Sequence, residues 1–142
     1  MGVRVSPKSI ERLREKVKEL CKHGRGNHAF IKTKLNPVIR EWFNYYRPAG
    51  MKSLAQSLDK WIRHRLRNIL WRQWKQNWTR FMNLRKGGLT EEHAARSAFN
   101  QRGPWFNSGA PHMNLAFPKK YFDDLKLFSF VDQYAAHRAA KC

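Results

Sequence analysis

The chain has 142 residues, 29 of them Lys or Arg against 10 Asp or Glu, giving a net charge of +19 and a sequence pI near 10.7. That length fits one domain with a real hydrophobic core and is short for a complete polymerase of several subdomains. Self-repulsion of this size serves no folding purpose and calls for a polyanionic partner, either nucleic acid or an anionic membrane surface.

From the N-terminus, "MGVRVSPKS" has no apolar signal core and no lipidation context, and no apolar run is long enough to span a bilayer. A bacterial cytoplasmic location is expected, or an organelle if the source is eukaryotic. In "SPKSIERLREKVKELCK", Ser6 is placed to cap a helix and Pro7 to occupy its first position. Ile10, Leu13, Val17 and Leu20 form its apolar stripe, and Gly24 and Gly26 end it. A second helix is predicted from about His28 to Tyr46, with Ile31, Leu35, Val38, Trp42 and Tyr45 or Tyr46 in helical period. Pro37 should kink or break it near Asn36, and "RPAG" should stop it. The third and longest helix is predicted from about Lys52 to Lys75. Its core face is Leu58, Ile62, Leu66, Ile69 and Leu70; Lys60, His64, Arg67, Trp71, Trp74 and Lys75 lie on the other side, joined by Trp78 if the helix continues.

After "RKGG", Thr90 is a candidate cap, with Glu91 and Glu92 suited to the helix dipole and a short helix to about Phe99. "NQRGPWFNSGAPHMN" reads as an irregular Gly/Pro loop around Trp105 and Phe106. One or two short helices follow Pro118. No segment alternates like a strand, so the fold class is all-α: a helical bundle with a core of the first three helices.

Two motifs have a chemical reading that their context does not sustain. Tyr121-Phe122-Asp123-Asp124 has the form of the metal-binding tetrad of reverse transcriptases, which sits on a hairpin between apolar strands. Here the flanks are helical, and the two aspartates are expected in a first helical turn or paired with lysines. Cys21, His23 and His28 lack the second ligand pair of a structural zinc site, so no metal and no cofactor is expected. A disulfide between Cys21 and Cys142 does not suit a reducing compartment.

From Lys60 to Thr90 there are nine Lys or Arg and no acid, which points to nucleic acid, with RNA preferred because no DNA-reading motif is present. The candidate RNA-binding residues are Arg40, Lys60, Arg63, Arg67, Arg72, Lys75, Arg80, Arg85 and Lys86, together with Trp71, Trp74 and Trp78. The tryptophans serve either as a second core face or as a stacking platform; spacing alone leaves both open. No catalytic residue is assigned.

Four stretches in this order carry a family resemblance: "SPKSIERLREKVKEL", "LNPVIREWFNYYR", "LDKWIRHRLRNILWRQWK" and "RGPWFNSGAPHMNLAFPKKYFDDLKLFSFVDQY". Together they resemble the maturase-specific domain (domain X, or thumb) of group II intron reverse transcriptases over about residues 4–138, leaving 1–3 and 139–142 as flexible ends. The resemblance implies a thumb-like three-helix core that grips structured group II intron RNA and helps it reach its splicing-active fold. It also implies a place beside primer and template in a complete reverse transcriptase. Fingers, palm and a His/Cys-rich endonuclease are not seen, so the expectation is a free-standing or truncated, non-enzymatic domain. Its implied partner is intron RNA in a ribonucleoprotein, with no membrane; the alternatives are a thumb portion acting with a separate fingers–palm chain as partner, and a general basic nucleic-acid chaperone.

Overall fold

The computed structural model describes residues 6–24, 27–46 and 52–140, the last four by backbone alone. All regular structure among the described residues is helical. Helix α1 (Pro7–His23) starts as its sequence dictates: Ser6 is extended and its Oγ accepts from the Ser9 amide at 3.2 Å, with Pro7 in the first turn. Leu13, Val17 and Cys21 are buried, while Ile10 and Leu20 flank them half-buried.

The second predicted helix is continuous but not regular. A short α2 (His28–Phe30) runs through a π turn, Ile31–Leu35, into α3 (Asn36–Tyr46). Pro37 does not break it. The wide π turn, in which the Asn36 amide reaches back to the Ile31 carbonyl, makes room where a proline would otherwise press on the preceding turn. The extra residue also moves the core line. Ile31 and Leu35 are buried as expected, but Ile39 and Phe43 follow them, and the predicted Val38 and Trp42 are only half-buried. Asn36 is itself buried. Its Nδ2 donates to the Lys126 carbonyl at 2.7 Å and its Oδ1 accepts from the Phe128 amide at 2.8 Å, pinning the turn in which Lys126 has φ 67°.

Helix α4 (Lys52–Gln73) is the centre of the molecule, and its predicted core face of Leu58, Ile62, Leu66, Ile69 and Leu70 is buried. It ends before Lys75: the chain breaks after Gln73 and restarts as α5 (Asn77–Lys86). Gly87 and Gly88 turn the chain. A side chain at Gly87 would meet the Ala116 Cβ at 2.6 Å, so glycine lets α5 close on the segment around Ala116. Helix α6 (Glu91–Ala98) has the expected Thr90 cap, whose Oγ1 accepts from the His93 amide at 3.2 Å.

The segment expected to be an irregular loop is instead two one-and-a-half-turn helices, α7 (Pro104–Gly109) and α8 (Pro111–Ala116), each started by its proline. Asn100, Asn107 and His112 hold them in a largely buried polar network: His112 Nε2 lies 2.9 Å from Asn107 Oδ1, and the Asn107 Nδ2 donates to the Gly103 carbonyl at 2.8 Å. Helix α9 (Lys119–Asp124) and α10 (Phe130–Ala140) complete the chain. Asp123 pairs with Lys119 at 2.8 Å, and both tetrad aspartates sit in the last turn of α9 rather than a first turn.

Helices α1, α7 and α10 pack on α4, while α5 packs on α6 and α8. The bundle of the first three predicted helices is therefore extended by Leu84, Met113, Phe122, Phe128 and Phe130, which join the same core. The "RPAG" stop, Gly26 and the ends at 1–3 and 141–142 lie outside the described residues, and α10 runs past 139 to Ala140. Among the described residues no helix is long and apolar enough to cross a membrane.

Burial pushes the His112 pKa down to about 4, with the charge of His93 adding to the effect. A histidine with a folded pKa below its unfolded value of about 6.5 is held neutral by the fold, so its contribution is present above pH 6.5 and lost as pH falls toward 4. The parent should lose up to about 3 kcal/mol more stability than His112→Gln between those limits, in urea unfolding at a series of pH values. Parallel pH profiles would contradict a buried neutral imidazole.

Candidate nucleic-acid interface

The acid-free stretch spans most of α4, the break and α5, and the tertiary fold divides its residues into three groups. Lys60, Lys75 and Lys86 are exposed, as is Arg40, whose guanidinium lies 5.7 Å from the Phe128 ring. Arg63 is half-buried. Arg72, Arg80 and Arg85 each give one donor to the backbone: Arg72 to the Cys21 carbonyl at 3.1 Å, Arg80 to that of Trp74 at 2.8 Å and Arg85 to that of Leu89 at 3.1 Å. A guanidinium has five N–H donors, so each keeps others for a ligand.

The third group lies inside. Arg67 is buried, donates through Nε to the Phe117 carbonyl at 2.8 Å and sits 5.4 Å from the Phe122 ring. Burial, and then the charge of Arg63, lowers its pKa to about 10, so it remains a cation. Trp71 and Trp74 are 1% and 7% exposed. Trp71 packs against His112 and Trp74 against Phe117, at ring separations of 5.4 and 5.5 Å. Of the two uses that spacing left open for these indoles, their burial matches the core. Trp78 differs: the break after Gln73 turns it off the line of the other two, and it is 64% exposed beside Phe81.

A second basic surface was missed by sequence reasoning. Trp61 on α4 lies between two guanidinium groups, Arg14 of α1 at 5.6 Å and Arg65 at 5.4 Å. Arg65 also lies 4.7 Å from the ring of Trp105 on α7, and His64 stacks on that same indole at 3.6 Å and 16°. The result is a ladder, Arg14–Trp61–Arg65–Trp105–His64, built from three helices. The Nε atoms of Arg14 and Arg65 are buried without a hydrogen-bond partner in it. The 61, 64, 65 spacing on one helix was a usable signal; Arg14 and Trp105 arrive only through tertiary packing. Beyond it, Arg102 covers the exposed Phe106 at 4.9 Å.

Carboxylates do little to offset these cations. The ion pairs among the described residues are Lys18–Glu15, Lys22–Glu19 and Lys119 with Asp123 and Asp132, and none involves an arginine. Stacked or carbonyl-bonded guanidinium groups without a carboxylate partner are pre-oriented for phosphate oxygens. Burial pushes the Cys21 thiol up to about 11, which keeps it from acting as a thiolate. Among the described residues no three His, Cys, Asp or Glu side chains come together as a metal site.

A sequence model of the family described as "Group II intron, maturase-specific domain" matches residues 10–88, which spans α1 through α5. No curated protein matches the chain. With more than half of its length matched, the chain belongs to the group II intron maturase-specific domain family.

Proposed function

We propose that this chain binds structured group II intron RNA and assists its folding toward the splicing-active form, acting as one RNA-binding domain over about residues 4–138. The observation that carries the reading is the uncompensated positive charge: nine Lys or Arg and no acid from Lys60 to Thr90, with no arginine in an ion pair among the described residues. Such a surface gains affinity by displacing counterions from phosphates, and the exposed Lys60, Lys75, Lys86, Arg40 and Trp78 are the first contacts to test. Arg63, Arg72, Arg80 and Arg85 contribute their remaining donors, and the Arg–Trp ladder a second contact. Arg67, Trp71 and Trp74 support this surface from within.

On this reading the chain alone performs no polymerase or nuclease step; a thumb acting with a separate fingers–palm polypeptide is the second reading. Two experiments test the proposal. In competition binding, group II intron RNA should displace a labelled intron fragment at least about tenfold better than an unrelated structured RNA of equal length, a margin of about 1.4 kcal/mol. Equal competition would favour a general basic chaperone. In primer extension with magnesium or manganese, the chain alone should incorporate nothing. Incorporation that disappears in Asp123→Ala would overturn the non-enzymatic reading, and stimulation of an added fingers–palm chain would favour the thumb role.

A further inference from the structure

The face of α1 and α3 away from α4 carries a cleft of about 240 Å³ that the basic-surface reading does not use. Its walls are Trp42, Tyr45 and Tyr46, and its rim holds Arg12, Lys16 and Glu41. It is smaller than the roughly 300–1,000 Å³ usual for drug-sized ligands and suits one planar ring system.

The polar atoms of two wall residues are already engaged. Trp42 Nε1 donates to the Ser9 carbonyl at 3.3 Å, and Tyr46 Oη bonds to Ser9 Oγ at 2.7 Å. The Ser9 hydroxyl is in turn held by Ser6 at 2.9 Å. Trp42 and Tyr46 lie 4.8 Å apart, and Tyr45 stands edge-on to Tyr46 at 4.8 Å and 73°. Trp42 and Tyr46 are therefore held in place and present ring faces rather than free hydrogen-bonding groups. Tyr45 is 80% exposed, more than any other large hydrophobic side chain among the described residues.

The rim supplies what the wall does not. Arg12 and Lys16 are exposed cations. Glu41 makes no ion pair among the described residues, although the chain carries 29 Lys and Arg. A carboxylate accepts hydrogen bonds and donates none. Among the four bases, the Watson–Crick edge of guanine alone sets two donors, N1–H and the N2 amino group, side by side for its two oxygens. Cytosine and adenine each pair one donor with a ring-nitrogen acceptor, and uracil sets one donor between two acceptors. Unpaired RNA bases are read in this way, by stacking on aromatic side chains and hydrogen bonding along the Watson–Crick edge.

We propose that this cleft receives one unpaired guanine of the bound RNA, stacked on Tyr45 and Trp42, with Glu41 reading N1–H and N2–H and with Arg12 and Lys16 holding the adjoining phosphate. The inference rests on the RNA-binding reading above and adds a base preference to it.

The test uses the full chain and four hairpin RNAs that differ only in one bulged nucleotide, G, A, C or U, with a fully paired hairpin as reference. Binding is followed by fluorescence anisotropy at several salt concentrations. The parent should prefer the G bulge over the A, C and U bulges by about tenfold, within the range for a bidentate base contact. Glu41→Gln should reduce that preference to about twofold, with the paired hairpin and the salt slope unchanged. Tyr45→Ala should weaken all bulged hairpins and leave the paired one alone. Both side chains are exposed, so both variants should fold. Salt-dependent binding without a base preference, or a preference that Glu41→Gln preserves, would overturn the guanine site and leave the RNA-binding reading standing. Absence of salt-dependent binding to every hairpin would overturn both.

Discussion

Trp71→Ala is expected to lower the unfolding free energy by about 3–5 kcal/mol, as measured by urea denaturation. The indole is 1% exposed and is enclosed by the Trp74 ring at 6.1 Å, the His112 ring at 5.4 Å and the Arg80 guanidinium at 4.8 Å. Its removal leaves a cavity where α4, α5 and α8 meet, and the flanking rings are themselves held by neighbours that prevent collapse. Trp78→Ala is the control. That ring is 64% exposed, so its loss should change stability by no more than about 0.5 kcal/mol and should instead weaken RNA binding. If Trp71→Ala melts like the parent yet loses RNA affinity, the indole is a stacking platform after all.

Asp59→Ala should cost a similar amount, about 3–5 kcal/mol, for a different reason: three donors lose their acceptor at about 1–3 kcal/mol each. The carboxylate is 4% exposed and accepts three hydrogen bonds from the start of α10: the Phe130 amide at 2.8 Å, the Val131 amide at 3.0 Å and the Ser129 hydroxyl at 2.9 Å. Ser129 also accepts from the Asp132 amide at 3.2 Å, so an acid on α4 and the helix's own cap share its N-terminus. Burial pushes the Asp59 pKa up, against the downward pull of those three bonds and of Arg63. Deletion leaves three donors without their acceptor. Asp59→Asn should recover only part of the loss, because one amide nitrogen must then face backbone N–H groups. A melt of Asp59→Ala within about 1 kcal/mol of the parent would show that α10 is held by its aromatic contacts alone.

Local patterns carried the helices, the Ser6 and Thr90 caps and the α4 core face, because each depends on residues within a few positions. The misses are one local irregularity and otherwise effects of distant chain. The π turn ahead of Pro37 shifted the α3 core from Val38 and Trp42 to Ile39 and Phe43, which a uniform helical period does not anticipate. Spacing puts Arg67 opposite the core face and leaves Trp71 and Trp74 open between core and platform, because residues 112–122 fold across them from far along the chain. The Gly/Pro run from 103 to 111 read as a loop because prolines that start helices and prolines that end them look alike without a partner surface. The Arg14–Trp61–Arg65–Trp105 ladder likewise exists only once α1 and α7 lie against α4. Asp59 carries no local signal of its role, which depends on Ser129 to Val131, some 70 residues on.

The basic-surface account is tested most directly by the salt dependence of intron RNA binding in the parent and in a Lys60→Ala, Lys75→Ala, Lys86→Ala triple variant. These three side chains are exposed and make no ion pair among the described residues, so the variant should fold and melt like the parent. Each phosphate contact contributes about 0.7–0.9 to the slope of log affinity against log salt. The account predicts a steep parent slope that flattens by about two to three units in the variant. A parent affinity insensitive to salt, or a variant with the parent's slope and affinity, would contradict it.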